Sequence, residues 1–190
     1  ALSRLPQHRV PAEHEARDAL RSYGLKGPEE RFIATPEAAA AAARDIGFTV
    51  VLKGIVENML HKSDAGLVKV GLQTESAVRQ AAETMLVSAR TASEAPFMGF
   101  LVQRKVSAVC EIFVGARVDP DFGPLVVVGA GGVQVELYKD VAVRLAPVDE
   151  RTAHEALAAT KVAALLQGFR GAPVADVAAV ARAVSAISQF

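Results

Sequence analysis

The chain has 190 residues, of which 51% are hydrophobic and 22% charged, enough for one large domain or two small lobes with a core. Its basic and acidic residues balance to a formal net charge of zero, which excludes the strongly basic surface of a non-specific nucleic-acid binder or of a protein held on an anionic membrane. No apolar run approaches the roughly 20 residues of a membrane helix, and the amino terminus lacks the charged-then-apolar form of a signal peptide.

The single cysteine, Cys110, has no internal disulfide partner and sits in an apolar stretch, so it reads as an inert buried thiol in a reducing compartment. A cytoplasmic protein without nucleic-acid or membrane partners is expected. The sequence begins at Ala1 without an initiator methionine, which fits a processed chain or a piece of a longer one.

Pro11 to Tyr23 carries Ala16, Ala19, Leu20 and Tyr23 at helical spacing, with Glu13 and Glu15 near its start and Gly24 after it. Arg31 to Ala34 predicts a short strand. Thr35-Pro36-Glu37 then supplies an N-cap, a proline in the first turn and an acid for a helix running to Ile46. Phe48 to Lys53 alternates, so Phe48, Val50 and Leu52 share one face of a strand while Thr49, Val51 and Lys53 share the other. Lys53 is thereby delivered to a strand end facing a cleft. Eight residues later His61-Lys62-Ser63-Asp64 gathers an imidazole, an ammonium, a hydroxyl and a carboxylate ahead of Gly66.

Leu67 to Leu72 predicts another strand, and Thr74 caps a helix bearing Val78, Ala82, Met85, Leu86 and Ala89 on one face. After the break at Ser93-Glu94-Ala95-Pro96, Gly99 to Val106 and Val109 to Val118 read as antiparallel neighbours joined at Ser107-Ala108. Leu125 to Val128 reads as a central strand covered on both faces. Val133 to Leu145, taken as one strand, places Glu136, Tyr138, Asp140 and Arg144 on one face and Val135, Leu137, Val141 and Val143 on the other. Asp149 caps a helix running to about Leu166, Gly168 to Gly171 is a loop, and Val174 to Ser188 is the last helix. The whole is an α/β (α+β) pattern of small sandwiches.

No GxxxxGK followed by Ser or Thr occurs, and Gly129-Ala130-Gly131-Gly132 does not complete GxGxxG because position 134 is Gln. That glycine run is either a phosphate-approaching turn or a structural corner. Lys53 with the His61 loop is the combination that points to phosphate.

From about Pro11 to Ser188 the chain resembles the ATP-grasp domain of the NDP-forming acyl-CoA synthetases, the acetate–CoA ligase (ADP-forming) group and relatives of succinyl-CoA synthetase β chains. The matching segments are Tyr23-Gly24, Ala43 to Gly47, Val50 to Lys53, His61 to Asp64, Asp119 to Pro124, Gly129 to Val133, Glu136, Lys139 to Ala142, Arg144 to Pro147 and Phe169 to Gly171. The chain departs from the family in having Gly54 to Glu57 after the lysine and Gly66-Leu67 after the histidine motif.

The resemblance implies two α/β lobes around a nucleotide cleft, with an N-terminal helical segment over 1–24, a first lobe over 25–97 and an incomplete second lobe over 98–190 whose last strands lie beyond Phe190. It implies ATP or ADP with Mg²⁺, and CoA held by ligase and CoA-binding domains in the same polypeptide or a partner subunit. Under it Lys53 contacts phosphate, the chain around Gln103, Lys105 and Val106 contacts adenine, and Glu111 faces the nucleotide or its ribose. Gly131 and Gly132 approach the nucleotide, Glu136 and Asp140 are the metal candidates, and Arg144 stabilises the transferring phosphoryl. His61 is the phosphate carrier, because imidazole offers a neutral nitrogen nucleophile near neutral pH. Asp64 either orients the ring or is a turn acceptor, and Lys62 either offsets phosphate charge or is a solvated side chain. For Asp140 an ion pair with Arg117 or Arg144 is the favoured reading. Acyl-CoA formation by the chain alone is not expected.

Overall fold

The computed structural model describes residues 10–59, 61–132 and 140–190, and these fall into two compact units. The first holds residues 10–21 and 26–106, the second Ser22–Leu25 and Ser107–Phe190. The first unit extends to Val106 because the strand after the Ser93 to Pro96 break belongs to its sheet.

In the first unit the order is α1 (Glu13–Arg21), β1 (Glu30–Ile33), α2 (Pro36–Ile46), β2 (Val50–Val56), β3 (Val68–Leu72), α3 (Glu75–Ala92) and β4 (Phe97–Arg104). The strands form an antiparallel sheet in the order β1-β4-β2-β3. Thr35 and Thr74 accept the N–H of Ala38 and Ala77, closing the first turns of α2 and α3. At the far end of α2, Gly47 takes φ +88, a conformation open to glycine at no steric cost.

Alanine-rich α2 and α3 lie on one face of this sheet, their small side chains letting Val50, Leu52, Phe100 and Val102 pack into a core with Ile46 and Met85. Lys53 alternates away from those residues, as the strand period requires. Its register partners are Leu101 on β4 and Val68 on β3.

The second unit contains β5 (Ile112–Asp119), β6 (Gly123–Ala130), β7 (Val141–Leu145), α4 (Glu150–Ala158), α5 (Val162–Leu166), a 3₁₀ turn (Phe169–Gly171) and α6 (Val177–Ser188). The sheet order is β5-β6-β7, antiparallel throughout. Val126, Val128 and Ala142 pack against Ala153, Leu157, Leu166, Ala181 and Val184, with Cys110, Ile112 and Val114 at the margin. Cys110 is half-buried, and burial pushes its thiol up, which favours the protonated form.

Three expectations are corrected here, and a fourth falls largely outside the described residues. Gly99 to Val106 and Val109 to Val118 are not a hairpin: β4 pairs with β1 and β2, whereas β5 pairs with β6. Short linkers suggest pairing only when no other sheet edge competes for the strand. The β6 strand is central, but among the described residues it is not covered on both faces, since Val127 is half-buried beside the exposed Val141 and Val143. An apolar run reports apolarity, not the presence of a covering layer. The helix from Asp149 breaks after Ala158, where the Thr160 hydroxyl donates to the Leu157 carbonyl and the Asp140 carboxylate accepts the Lys161 N–H. The proposed long strand is seen only from Val141, residues 133–139 lying outside those described.

Candidate functional site

Lys53 enters from the middle of β2, and the turn that follows is tied back to the same strand. The Leu67 N–H donates to the Lys62 carbonyl (2.9 Å), the Gly66 N–H to the Ser63 carbonyl (3.1 Å) and the Gly54 N–H to the Leu67 carbonyl (2.8 Å). Gly66 has φ +69, so the loop reverses without strain. Gly54 sits where a Cβ would lie 3.2 Å from both Leu67 and Phe97. The missing side chain thus lets the loop close tightly on the strand.

These constraints bring Lys53, His61, Lys62, Ser63, Asp64 and Val68 to one open cavity of about 320 Å³, joined by Glu13 from α1. Lys53 donates to Glu13 Oε1 at 2.5 Å, and Lys62 Nζ lies 3.7 Å from Glu13 Oε2. Arg17, one turn along α1, pairs with the same carboxylate at 2.7 Å. Behind them the Gln103 amide donates to Glu13 at 3.3 Å and to Glu30 at 2.6 Å. Glu30 is only 5% exposed and also pairs with Arg17 at 3.3 Å. The two ammoniums that line the cavity are therefore held on one carboxylate, itself anchored by a guanidinium and an amide.

Glu13 is the residue that sequence reasoning missed. It stands 40 positions before Lys53 and reads locally only as an acid in the first turn of α1, where Glu15 accepts the Ala12 N–H at 2.8 Å in half of a capping box.

Burial by itself raises the Glu13 carboxyl pKa, but the hydrogen bond and charge of Lys53, then the charges of Lys62 and Arg17, outweigh it and hold the group below its ordinary 4.5. A carboxyl depressed in the fold stabilises it above the unfolded pKa, and that stabilisation is lost as pH falls through the folded pKa. Wild type is thus expected to lose more Tm than Glu13→Gln on acidification from about pH 7 to about pH 3, as thermal melts at several pH values would measure.

The remaining expected residues divide as follows. His61 and Asp64 both line the cavity and are exposed. Among the described residues no hydrogen bond joins them, so Asp64 does not orient the ring in this arrangement. Gln103 is committed by its side chain to Glu13 and Glu30. Lys105 donates its N–H to the Thr49 carbonyl at 2.9 Å, and Val106 is exposed.

In the second unit the glycine turn closes on Glu111. The Gly131 N–H donates to the Glu111 carbonyl at 2.7 Å, and a Cβ on Gly132 would meet Glu111 Oε2 at 2.5 Å. In this arrangement the close approach that these glycines permit is to Glu111.

Among the described residues Asp140 makes no ion pair with Arg117 or Arg144. Its carboxylate takes the Lys161 N–H at 2.5 Å, Arg117 pairs with Asp119 at 3.0 Å, and Arg144 donates to the Val143 carbonyl at 2.9 Å. The reason is local: an exposed helix N-terminus offers an unsatisfied N–H close to the strand end.

Of the two metal candidates, Glu136 lies outside the described residues. Among the described residues no group of three or more His, Cys, Asp or Glu side chains is placed to hold a metal ion. Asp140 alone of the two candidates is described, and the positive charge of the cavity comes from Lys53 and Lys62. Of the other histidines, His14 stacks on Phe32 with ring centres 4.2 Å apart. No helix among the described residues is long and apolar enough to cross a membrane.

A family model described as ATP-grasp domain matches residues 4–190. The chain is an ATP-grasp domain. The β subunit of acetate–CoA ligase [ADP-forming] I from Pyrococcus furiosus is 33% identical over 185 residues, covering 97% of this chain and 80% of that subunit. The 4-hydroxybutyrate–CoA ligase [ADP-forming] of Nitrosopumilus maritimus is 35% identical over 179 residues, 94% of this chain but 26% of that protein. The ATP-grasp domain thus spans about a quarter of that relative's length.

Among solved structures, the dinucleotide-forming acetyl-coenzyme A synthetase 1 of Ca. Korarchaeum cryptofilum, in complex with coenzyme A, Ca-AMPCP and HgCl⁺, superposes with a TM-score of 0.88 at 38% identity. The match covers 93% of this chain and 77% of that one. The same enzyme with coenzyme A and Mg-AMPPCP, its phosphohistidine segment pointing towards the nucleotide binding site, gives 0.80 at 36% identity, covering 95% of this chain and 78% of that one. This ATP-grasp domain corresponds to the β portion of ADP-forming acyl-CoA synthetases.

Proposed function

We propose that the cavity at Lys53, His61 and Lys62 binds the phosphates of ADP or ATP, and that His61 exchanges a phosphoryl group with the nucleotide within an ADP-forming acyl-CoA synthetase. The observation that carries this reading is the convergence of two half-buried ammoniums and one exposed imidazole on one open cavity. In the ATP direction the imidazole nitrogen attacks the γ-phosphorus, the bond from phosphorus to the bridging oxygen breaks, and ADP leaves with the electron pair. Lys53 and Lys62 neutralise charge on the phosphate oxygens, which is most of what phosphoryl transfer asks of a protein.

Arg144 is assigned to the transferring group, and the chain from Gln103 to Val106 to the base. Glu111 is assigned to the nucleotide side as well, acting through the glycine turn that it braces. Mg²⁺, when bound with the nucleotide, supplies further charge neutralisation. The acyl-CoA half of the reaction belongs to CoA-binding and ligase domains in the same polypeptide or a partner subunit, and the cytoplasm is the expected compartment.

The absence of a hydrogen bond orienting His61 among the described residues favours a second reading, a nucleotide-binding module without turnover. Calorimetric titration of the chain with ADP is expected to give saturable binding at one site. No heat beyond dilution, at protein concentrations spanning the micromolar to millimolar range, would remove both readings.

A further inference from the structure

The geometry points to Glu13 as a resident counter-ion that occupies the anion positions of Lys53 and Lys62, so that a phosphate ligand binds by displacing it. This inference rests on the phosphate-site reading of the same cavity.

Both oxygens of the Glu13 carboxylate face lysine: Oε1 takes Lys53 at 2.5 Å and Oε2 faces Lys62 at 3.7 Å. A phosphate drawn to these ammoniums seeks the same donors. The carboxylate does not depend on the lysines to remain paired, because Arg17 at 2.7 Å and the Gln103 amide at 3.3 Å also donate to its Oε1. It can release Lys53 and Lys62 and stay compensated. Lys53 and Lys62 are 21% and 17% exposed, so without Glu13 they would carry partly desolvated charge in an empty cavity.

The carboxylate thus serves the empty state, and its negative charge sets the strength that an incoming anion must exceed. A ligand bearing several negative charges on adjacent phosphates meets both lysines at once and outcompetes one carboxylate. A small single anion gains less and is held off. Glu13 therefore acts on specificity, through repulsion as much as through pairing.

The test is calorimetric titration of wild type, Glu13→Gln, Glu13→Asp and Lys53→Ala with ADP and, separately, with inorganic phosphate at low ionic strength. Glu13→Gln removes the competing charge but keeps the shape. It is expected to bind ADP about ten-fold more tightly than wild type and inorganic phosphate by a larger factor, the size set by one unit charge at close range in a partly screened site. Glu13→Asp keeps the charge on a shorter arm, guarding against misfolding of a single variant, and is expected to fall between the two.

Equal or weaker ADP binding by Glu13→Gln, with wild type binding and Lys53→Ala not, would overturn the counter-ion role and leave the phosphate site standing. Binding that Lys53→Ala leaves intact, or absent from every variant, would instead contradict the phosphate site itself.

Discussion

Lys53→Ala is expected to weaken ADP binding by about two orders of magnitude. A charge-assisted hydrogen bond to phosphate contributes roughly 1.5–3 kcal/mol, and each 1.4 kcal/mol is a factor of ten in affinity. Two effects act together. The substitution deletes the ammonium that β2 holds in the cavity, and it leaves Glu13 with one fewer counter-ion among those of Lys53, Lys62 and Arg17. The surviving carboxylate then repels the ligand. Lys53→Arg restores the charge but not the point geometry of the ammonium, and its affinity should lie between the two. Binding isotherms for the three proteins, with circular dichroism to show that each is folded, check this directly.

The second large effect falls on His61. In a preparation supplied with its CoA-binding and ligase domains, γ-labelled ATP is expected to place acid-labile, base-stable label on wild type. His61→Ala should reduce this to background, a loss of about 10⁴-fold or more in phosphoryl transfer, because removal of a covalent nucleophile leaves no alternative route. ADP affinity should change little, since His61 is exposed and no hydrogen bond joins it to Lys53 among the described residues. Label that survives in His61→Ala would move the phosphate carrier elsewhere. Label absent from both proteins would favour a binding module without turnover.

Much of the architecture was legible because short-range physics decides it. The caps at Thr35, Thr74 and Asp149 act within three residues, and the alternation of Val50, Leu52 and Lys53 follows from the pleat. Those rules place Lys53 on the correct face and the His61 loop immediately after its strand.

What failed depended on partners distant in sequence. β4 sits between β1 and β2 because its residues from Phe100 to Gln103 match the edges of both, and no spacing near Ser107 reveals that. Asp140 found the Lys161 N–H, 21 residues on, rather than an arginine. The closeness of Gly131 and Gly132 to Glu111, 20 and 21 positions earlier, is likewise a pairing that no local spacing reveals. Glu13 was invisible for the same reason. An acid in the first turn of a helix has an adequate local explanation, and only the fold carries it to a lysine on another element.

The central claim, that Lys53 and Lys62 together receive nucleotide phosphate, is tested most directly by lysine-selective carbon-13 NMR during titration with ADP. The ε-methylene resonances of Lys53 and Lys62, assigned by Lys→Arg substitution, are predicted to shift together and saturate with the calorimetric Kd, while that of Lys26 stays in place. Saturable ADP binding that leaves the Lys53 and Lys62 resonances unmoved would contradict the account.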